Sequence, residues 1–439
     1  MDIIAMKGGG AVNEKLRAGW LGLLSVLVAM MPLSFAVAWH GKVLPMAVLL
    51  LTGLCLLISR PATRRSYRLA RSVVIACGLG LLYTALNILG HRLGWTAFDT
   101  PSHILLFMLT AAVFSLPLRM RWVWLGFSLT GVALGSVCIV QHFVFGIDRA
   151  YGLNGGDWGA IEFAMVLLTL SLMSLLQVLF LVGGQVTGLF PASRYLEAAV
   201  HGAGAVFGMY GALLTQSRGP LLAFVPVVLL LLLIYARRTH QWRRSLLLIG
   251  ALVVGGVLAG VSVHGVVVSR LAAVQTELSS YNHQTAAQGA VRERLEMWRT
   301  ARQAFFSHPL AGVGIDQFGV YVRQQVAAGQ ANPAIAKFDH PHNEYLEAAA
   351  TGGVPGLLVL LLIFGLPLGY FARHVQHVND AVAVPACAGI VVVSMYVLCG
   401  LSDNVFYRPM PHSMYFFLVL GFAVLIGQLT STHEVAQHG

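Results

Sequence analysis

The residues best suited to chemistry lie in one polar stretch, residues 339–347, which contains His340, His342 and Asn343. An imidazole has an unperturbed pKa of about 6.5, so a neutral His342 can take a proton from a hydroxyl near neutral pH. The stretch predicts a helix that starts at or near Asn343, where free backbone N–H groups and the positive end of the helix dipole favour an anion. An equally simple interpretation makes both histidines polar capping residues of a loop.

Three arginines are candidates for binding that anion. Arg218 separates two apolar runs with almost no loop between them, so its charge is held at a membrane boundary, where burial is costly. An anionic partner explains this position, and so does snorkelling of the side chain to the interface. For Arg149 and Arg294, solvated or internally paired charge is the simpler interpretation of each alone. As a set, however, arginines match phosphate oxygens through paired hydrogen bonds and remain charged, which favours a diphosphate ligand.

The remaining polar candidates support this group. His340, Asn343 and Tyr345 flank His342, and Asp403 lies in the last polar loop, where pairing with Arg408 is one interpretation. A carboxylate of the same stretch, Asp339 or Glu344, is an alternative proton acceptor to His342. Zinc is a weaker alternative, because Glu344 and Glu347 do not complete a recognised metal spacing with the histidines. We therefore expect no metal and no cofactor.

The elements that hold these residues are membrane helices. The chain is 57% hydrophobic and only 10% charged, with a mean hydropathy of +0.75, whereas soluble domains are about one-quarter charged. Its basic residues are dispersed between apolar runs, so the net charge of +11 indicates membrane orientation rather than nucleic-acid binding. All five cysteines lie inside apolar runs, which indicates packing rather than disulfides.

Hydropathy predicts an all-α polytopic membrane protein with about twelve spans. The predicted spans begin near Trp20, Val43, Ser72, His103, Trp122, Ala160, Glu197, Leu221, Ser245, Pro355, Ala381 and Met414. The chain then divides into residues 1–263 with nine spans, a mainly helical outer loop at 264–354 that carries the histidines, and residues 355–439 with three spans and a short tail.

The basic residues predict the orientation of these spans. Sixteen of the 28 lie on the face of the N-terminus, whereas the short loops of the other face hold five: Lys42, Arg92, Arg149, Arg218 and Arg408. The positive-inside rule places both termini in the cytoplasm and the long loop outside, which is the periplasm of a bacterial inner membrane. The periplasm has no ATP pool, so the substrate of a reaction there must arrive already activated. No Walker-type glycine loop contradicts this.

The outer loop itself predicts three helices. Val291, Leu295, Trp298 and Phe305 follow helical spacing, so residues 287–307 read as an amphipathic helix that could lie on the membrane surface. A second short helix is predicted at 316–327, before a turn at Asn332-Pro333, and the third is the one that begins near Asn343.

These motifs resemble the bacterial O-antigen ligases. The signature is His342-Asn343, nine residues, Gly353, two residues, Gly356, at the end of the large outer loop. A further set of residues resembles the upstream part of the same family domain. It comprises Arg294 to Trp298, Phe305, His308-Pro309-Leu310 and Gly312-Val313-Gly314. The predicted topology also matches the family. It has twelve spans, Arg218 follows the seventh, and the large outer loop lies between the ninth and the tenth.

The resemblance implies a membrane-embedded, metal-independent, inverting glycosyltransferase of the GT-C-like class. Such ligases transfer O-antigen from undecaprenyl diphosphate to a sugar hydroxyl of lipid A-core, which makes lipopolysaccharide. By resemblance, His342 is the general base on the acceptor hydroxyl, and Arg218 and Arg294 hold the diphosphate, with Arg149 as a further candidate. Asp403 corresponds to a functional acid in the last periplasmic loop, in a loosely matching motif.

Two alternatives remain open at this point. O-antigen polymerases and protein O-oligosaccharyltransferases are relatives that share the domain and a similar histidine, and their acceptors cannot be told apart from this motif. A polysaccharide flippase is a non-enzyme alternative. It predicts internal repeats and ionisable residues deep within the spans, whereas the charges of this chain gather at the outer boundary.

Overall fold

The computed structural model describes residues 11–37, 43–153, 159–182, 194–243, 245–247 and 290–438, and these are almost entirely helical. The α-helices are α1 (Ala11–Ala36), α2 (Val43–Ser59), α3 (Pro61–Leu69), α4 (Arg71–Gly90), α5 (Asp99–Thr110), α6 (Met120–Phe143), α7 (Ala160–Val182), α8 (Arg194–Leu214), α9 (Arg218–Thr239), α10 (Ala290–Ser307), α11 (Phe318–Ala327), α12 (Glu344–His374), α13 (Asp380–Cys399) and α14 (Pro409–His438). Helices satisfy every backbone hydrogen bond within the segment, which apolar runs in a bilayer require.

The helices identify a multi-pass membrane protein. Nine elements in the described part of the chain are long and apolar enough to cross a bilayer, and a tenth results if α2 and α3, bent by 98°, form one broken span. The predicted span beginning near Glu197 appears as α8 but is not among these nine, and the span predicted from Ser245 lies largely outside the described residues. The total of twelve spans and the GT-C-like class therefore stay predictions.

Three helices form the centre of the bundle. In α7, α13 and α14, 83% of the most apolar stretch is buried inside the protein, whereas the outer helices leave half or more of theirs for lipid. An aromatic cluster joins α12, α13, α14 and the loop before α14. Its rings pack against one another in stacked and edge-to-face pairs, and they belong to Phe364, Tyr396, Phe406 and Tyr415. This cluster fixes the loop at residues 400–408 over the central helices.

The polar segment before α12 (residues 290–343, the outer segment) has a small core of its own. Met297 and Ala301 of α10 pack with Phe318 and Val322 of α11, and α10 also packs along α12. The predicted bounds of both helices are close to those observed. The buried face of α10 is rotated slightly about the helix axis from the predicted apolar face, since Met297 and Ala301 are buried and Trp298 and Phe305 are only half-buried. Contact with α12 therefore replaces some of the surface that was predicted to face lipid.

A break in α12 joins this outer segment to the membrane helices. Pro355 has no N–H for the carbonyl of Thr351, and Val354 donates to Pro309 (2.8 Å) instead of to Ala350. The two freed carbonyls accept from the outer segment: Val313 N–H binds Ala350 O at 2.9 Å, and Gly314 N–H binds Thr351 O at 3.0 Å.

The break falls at Gly353, which has φ 62° and ψ −155°, a conformation that essentially only glycine adopts. On the membrane side, Asn87 of α4 clamps the same junction: its amide donates to Ala311 O, and its oxygen accepts from Ile315 N–H at 2.9 Å. The predicted division after residue 354 coincides with this break. The division itself stays a prediction, and its other boundary, after residue 263, lies outside the described residues.

We expect Gly353→Ala to destabilise the protein by roughly 3 kcal/mol or more, because the new methyl group would enforce a strained φ and would meet Pro309 O at 2.4 Å. Gly365→Ala in the same helix is the control, since nothing lies within 4 Å of its added carbon. That variant should be neutral or up to about 1 kcal/mol more stable. Thermal unfolding in detergent measures both, and equal melting temperatures would contradict the role given to Gly353.

Candidate active site

The start of α12 is fastened to the loop between α13 and α14. Asn343 caps the helix by accepting from Leu346 N–H at 3.0 Å, and its own N–H donates to the Asn404 side chain at 3.0 Å. The Asn343 amide also donates to Leu401 O at 3.0 Å, and Glu344 N–H donates to Gly400 O at 2.8 Å. These bonds bring two segments about sixty residues apart into one rigid corner.

His342 and Asp403 meet in that corner. His342 Nδ1 and Asp403 Oδ1 are 2.9 Å apart, with the Asp403 side chain 7% exposed and that of His342 22% exposed. Burial would raise the pKa of Asp403, but the hydrogen bond from His342, its charge and the Asn404 N–H together hold that pKa below the usual value. An ionised Asp403 only accepts, so when His342 is neutral its Nδ1 carries the proton and its Nε2 carries the free lone pair. That tautomer is the one a general base requires.

His342 has a left-handed backbone, with φ 51°. Non-glycine residues with positive φ cost of order 1–3 kcal/mol and persist where their surroundings hold them. Here the bonds of Asn343 on one side and of Asp403 on the other hold the residue. The strain directs the imidazole towards the 400–408 loop instead of along the helix.

The anion site predicted at the start of α12 is wrong. The N–H groups of Asn343, Glu344 and Leu346 already donate to the 400–408 loop or to the capping side chain. They are therefore occupied by the chain itself. The sequence showed the cap but not the loop that takes the remaining donors.

His340 lies beside His342 but faces a different environment. The two rings are 4.5 Å apart, and His340 packs at 4.2 Å against the ring of Tyr407. Burial lowers the pKa of His340 to about 4, and the charge of His342 acts in the same direction. Trp298 Nε1 donates to Pro341 O at 3.0 Å, so α10 also fixes this turn. His340 is thus a neutral packing partner of His342.

The turn that carries Arg218 lies against the Asp403 loop. A carbon added to Gly219 would clash with Ser402 Oγ, so the backbone of this turn packs against the Ser402 side chain. Arg218 is exposed at the first residue of α9, where the Ser217 side chain makes no cap. An uncapped helix start with an arginine suits an anion better than the start of α12 does.

Arg149 belongs to the same turn. Its Nε donates to Thr215 O at 2.9 Å, and Gln216 donates back to Asp148 O at 2.8 Å. Arg149 is otherwise exposed, as Arg218 is. Two of the three predicted arginines therefore lie on segments that are bonded to each other, 147–150 and 215–218.

The other predicted residues are placed less directly. Arg294 is half-buried in α10, one turn before the Trp298 that binds Pro341. Within the described part of the chain, no hydrogen bond joins it to His342 or Asp403. Tyr345 donates to Val397 O at 2.8 Å and so ties α12 to α13.

The suggested pairing of Asp403 with Arg408 is wrong. Arg408 Nε instead binds Glu162 Oε1 at 3.0 Å, and Asp403 is left for His342. Glu162 was not among the predicted site residues. It is a lone acid at the start of an apolar run, and such a charge is costly to bury without a partner, so the sequence did contain a signal for it.

His340, His342 and Asp403 also offer one ligand atom each within 4.8 Å of one another, a spacing that a metal ion accepts. The spacing of Glu344 and Glu347 was the reason for expecting no metal, and Asp403 did not enter it because that residue is 61 positions from His342. His342 Nδ1 is already hydrogen-bonded to Asp403 Oδ1. The expectation of no metal stays a prediction.

Comparison with known proteins places this geometry in a family. The sequence model of the family described as O-Antigen ligase matches residues 203–361, which include Arg218, Arg294 and His342. This match covers 159 of the 439 residues and supports membership of the O-antigen ligase and polymerase superfamily. The chain is also similar to an uncharacterized protein of Haemophilus influenzae, with 21% identity over 340 residues, 77% of this chain and 82% of that protein. Members of the superfamily are glycosyltransferase-like membrane enzymes.

The pKa of His340 makes a prediction for stability. An unfolded histidine has a pKa of about 6.5 and the folded one about 4, so between these values only the unfolded chain binds the proton. Stability should therefore fall as the pH drops from about 6.5 to 4. In His340→Asn the number of protons taken up on unfolding should decrease by close to one in this pH range. The slope of the free energy of unfolding against pH, from thermal unfolding, measures this number. His308→Asn, at an exposed position of the same segment, is the control, and an unchanged slope in His340→Asn would contradict the assignment.

Proposed function

We propose that this protein is an O-antigen ligase of the bacterial inner membrane. It transfers O-antigen from undecaprenyl diphosphate to a sugar hydroxyl of lipid A-core, on the periplasmic side, with both termini in the cytoplasm. The observation that carries the proposal is the His342–Asp403 hydrogen bond of 2.9 Å beside the Arg218 turn. A general base and a cationic surface lie on neighbouring backbone segments at the end of a membrane bundle.

In this reaction His342 Nε2 takes the proton of the acceptor hydroxyl as its oxygen attacks the anomeric carbon of the donor. The bond from that carbon to the diphosphate breaks on the opposite face, so the configuration inverts and no covalent glycosyl-enzyme forms. Asp403 keeps His342 in the required tautomer and stabilises the imidazolium. Arg218, Arg149 and Arg294 hold the diphosphate and its growing charge.

The donor and the base are common to the ligases and their relatives, so the acceptor decides the activity. Purified protein in detergent is given undecaprenyl diphosphate-linked O-antigen, lipid A-core and EDTA, and the product is followed on a gel. A ladder on lipid A-core is the expected result. Donor that lengthens only itself indicates a polymerase, and transfer only to added protein indicates a protein O-oligosaccharyltransferase. Loss of transfer with EDTA that added metal restores would overturn the metal-independent mechanism.

We expect His342→Ala to lower the transfer rate roughly 10²–10⁴-fold without weakening donor binding, since a general base contributes about this much. Asp403→Asn should lower the maximal rate with little change in the KM for the donor, because the imidazole loses its orienting carboxylate but not its position. Initial rates at several pH values, together with donor binding, measure these effects. Transfer at the wild-type rate by His342→Ala would remove the assignment.

Arg218→Ala should weaken donor binding and also lower the maximal rate, with a loss of roughly 10²-fold in kcat/KM, because one charged donor is lost at the developing diphosphate. Arg302→Ala, an exposed arginine of α10, is the matched control and should stay near the wild-type value. Steady-state kinetics with varied donor measure both. Equal effects of the two substitutions would show that Arg218 acts only through general charge.

A further inference from the structure

A cavity lies next to the His342 corner, with Glu344, Asn404 and Tyr407 in its wall. It has a volume of about 400 Å³ and lies between α4, α5, α12 and α14, below the outer segment. Its outer part is lined by the carboxyl groups of Asp316, Glu344 and Glu347, and its floor is lined by Ile104 and Ile363. This volume is within the range of small-molecule sites.

Two polar groups in this cavity have no protein partner among the described residues. Glu347 Oε2 and His412 Nδ1 are both buried and without a hydrogen bond, and the His412 side chain is 3% exposed. The other carboxylate, Glu344, does have a partner, since it accepts from Phe406 N–H at 3.2 Å. Both residues line the cavity, and buried polar groups in folded proteins are nearly always hydrogen-bonded, so two side chains without a recorded hydrogen bond in one cavity wall point to a polar ligand.

The cavity shares its wall with the reacting pair. Asn404 lines the cavity and also accepts from Asn343 N–H, next to His342. Tyr407 lines it as well and stacks on His340. A molecule in the cavity therefore lies one side chain away from the His342 imidazole, whereas the Arg218 turn contacts the same loop at Ser402, which does not line the cavity.

We propose that this cavity binds the acceptor sugar, and that the ring it holds is neutral or bears an amino group, with no phosphate or carboxylate. This rests on the proposed transferase function. The residues that line the cavity include three carboxyl groups and, in the described part of the chain, no arginine or lysine. Whether protonated or ionised, a carboxyl group bears no positive charge, so an anionic ring finds no charge partner there. Hydroxyl and ammonium groups can bond to Glu347, Asp316 and His412.

The separation of charge also assigns the two substrates to two sides. The donor diphosphate is held by the exposed Arg218 at the start of α9 and by Arg149, and the same anion is excluded from the carboxyl-lined cavity. The acceptor hydroxyl then approaches His342 from the cavity and the anomeric carbon from the Arg218 side. This is the opposed arrangement that direct inverting attack requires.

The kinetic test uses the full-length protein with Glu347→Gln and Asp316→Asn. We expect either substitution to raise the KM for lipid A-core about tenfold or more, with the KM for the donor unchanged. Glu293→Gln is the control, because that carboxylate pairs with Lys337 on the outer segment and does not line the cavity. A rise in the donor KM alone, or equal values for all three variants and the wild type, overturns the proposal.

A binding test separates this proposal from the function. Ala97 lines the cavity and is half-buried, so Ala97→Cys in nanodiscs can be labelled with a membrane-impermeant maleimide. We expect methyl glucoside and glucosamine to slow the labelling at millimolar concentration, and glucose 6-phosphate and glucuronate to have no effect. Protection by all four sugars, by none of them, or by undecaprenyl diphosphate alone overturns the cavity assignment. If the selective protection is seen but lipid A-core receives no O-antigen, the ligase proposal fails and the sugar site stands.

Discussion

The hydrogen bond between His342 and Asp403 is the interaction on which the site depends. It joins the start of α12 to the loop between α13 and α14, and an ionised Asp403 fixes which ring nitrogen of His342 carries the proton. Both residues need a rigid frame for this, because His342 has a strained backbone and Asp403 is buried. The neighbouring bonds of Asn343 to Asn404 and Leu401 supply that frame.

The frame in turn depends on how a polar segment is attached to membrane helices. A helix that crosses lipid keeps its carbonyls bonded internally, and only a break makes them available to another segment. The break at Gly353 and Pro355 releases two carbonyls of α12, and the outer segment binds them through its backbone. Asn87 of α4 closes the same junction. Gly353 of the signature therefore has a structural role, since the break there fastens the outer segment that contains α10 and Trp298.

The prediction was most successful where local pattern decides the structure. The helical class, the bounds of the helices in the outer segment and the start of α12 near Asn343 follow from apolar runs, helical spacing and the restriction imposed by Pro341, all of which act over a few residues. The predicted anion site at the start of α12 failed, because the donors were taken by residues sixty positions away. The pairing of Asp403 with Arg408 failed for the same reason, since Glu162 of α7 is the partner of Arg408.

The sequence by itself determined that the chain is a membrane protein, and it predicted that the chemistry lies in one polar stretch, with His342 and Arg218 as the residues to consider. These conclusions rest on composition and on single positions, which folding does not change. Only the tertiary structure decided which acid faces the histidine, which helix start remains open beside an arginine, and where a carboxyl-lined cavity forms. Each of these depends on packing between helices far apart in the chain, and side-chain contacts at that range leave no periodic signal in the sequence.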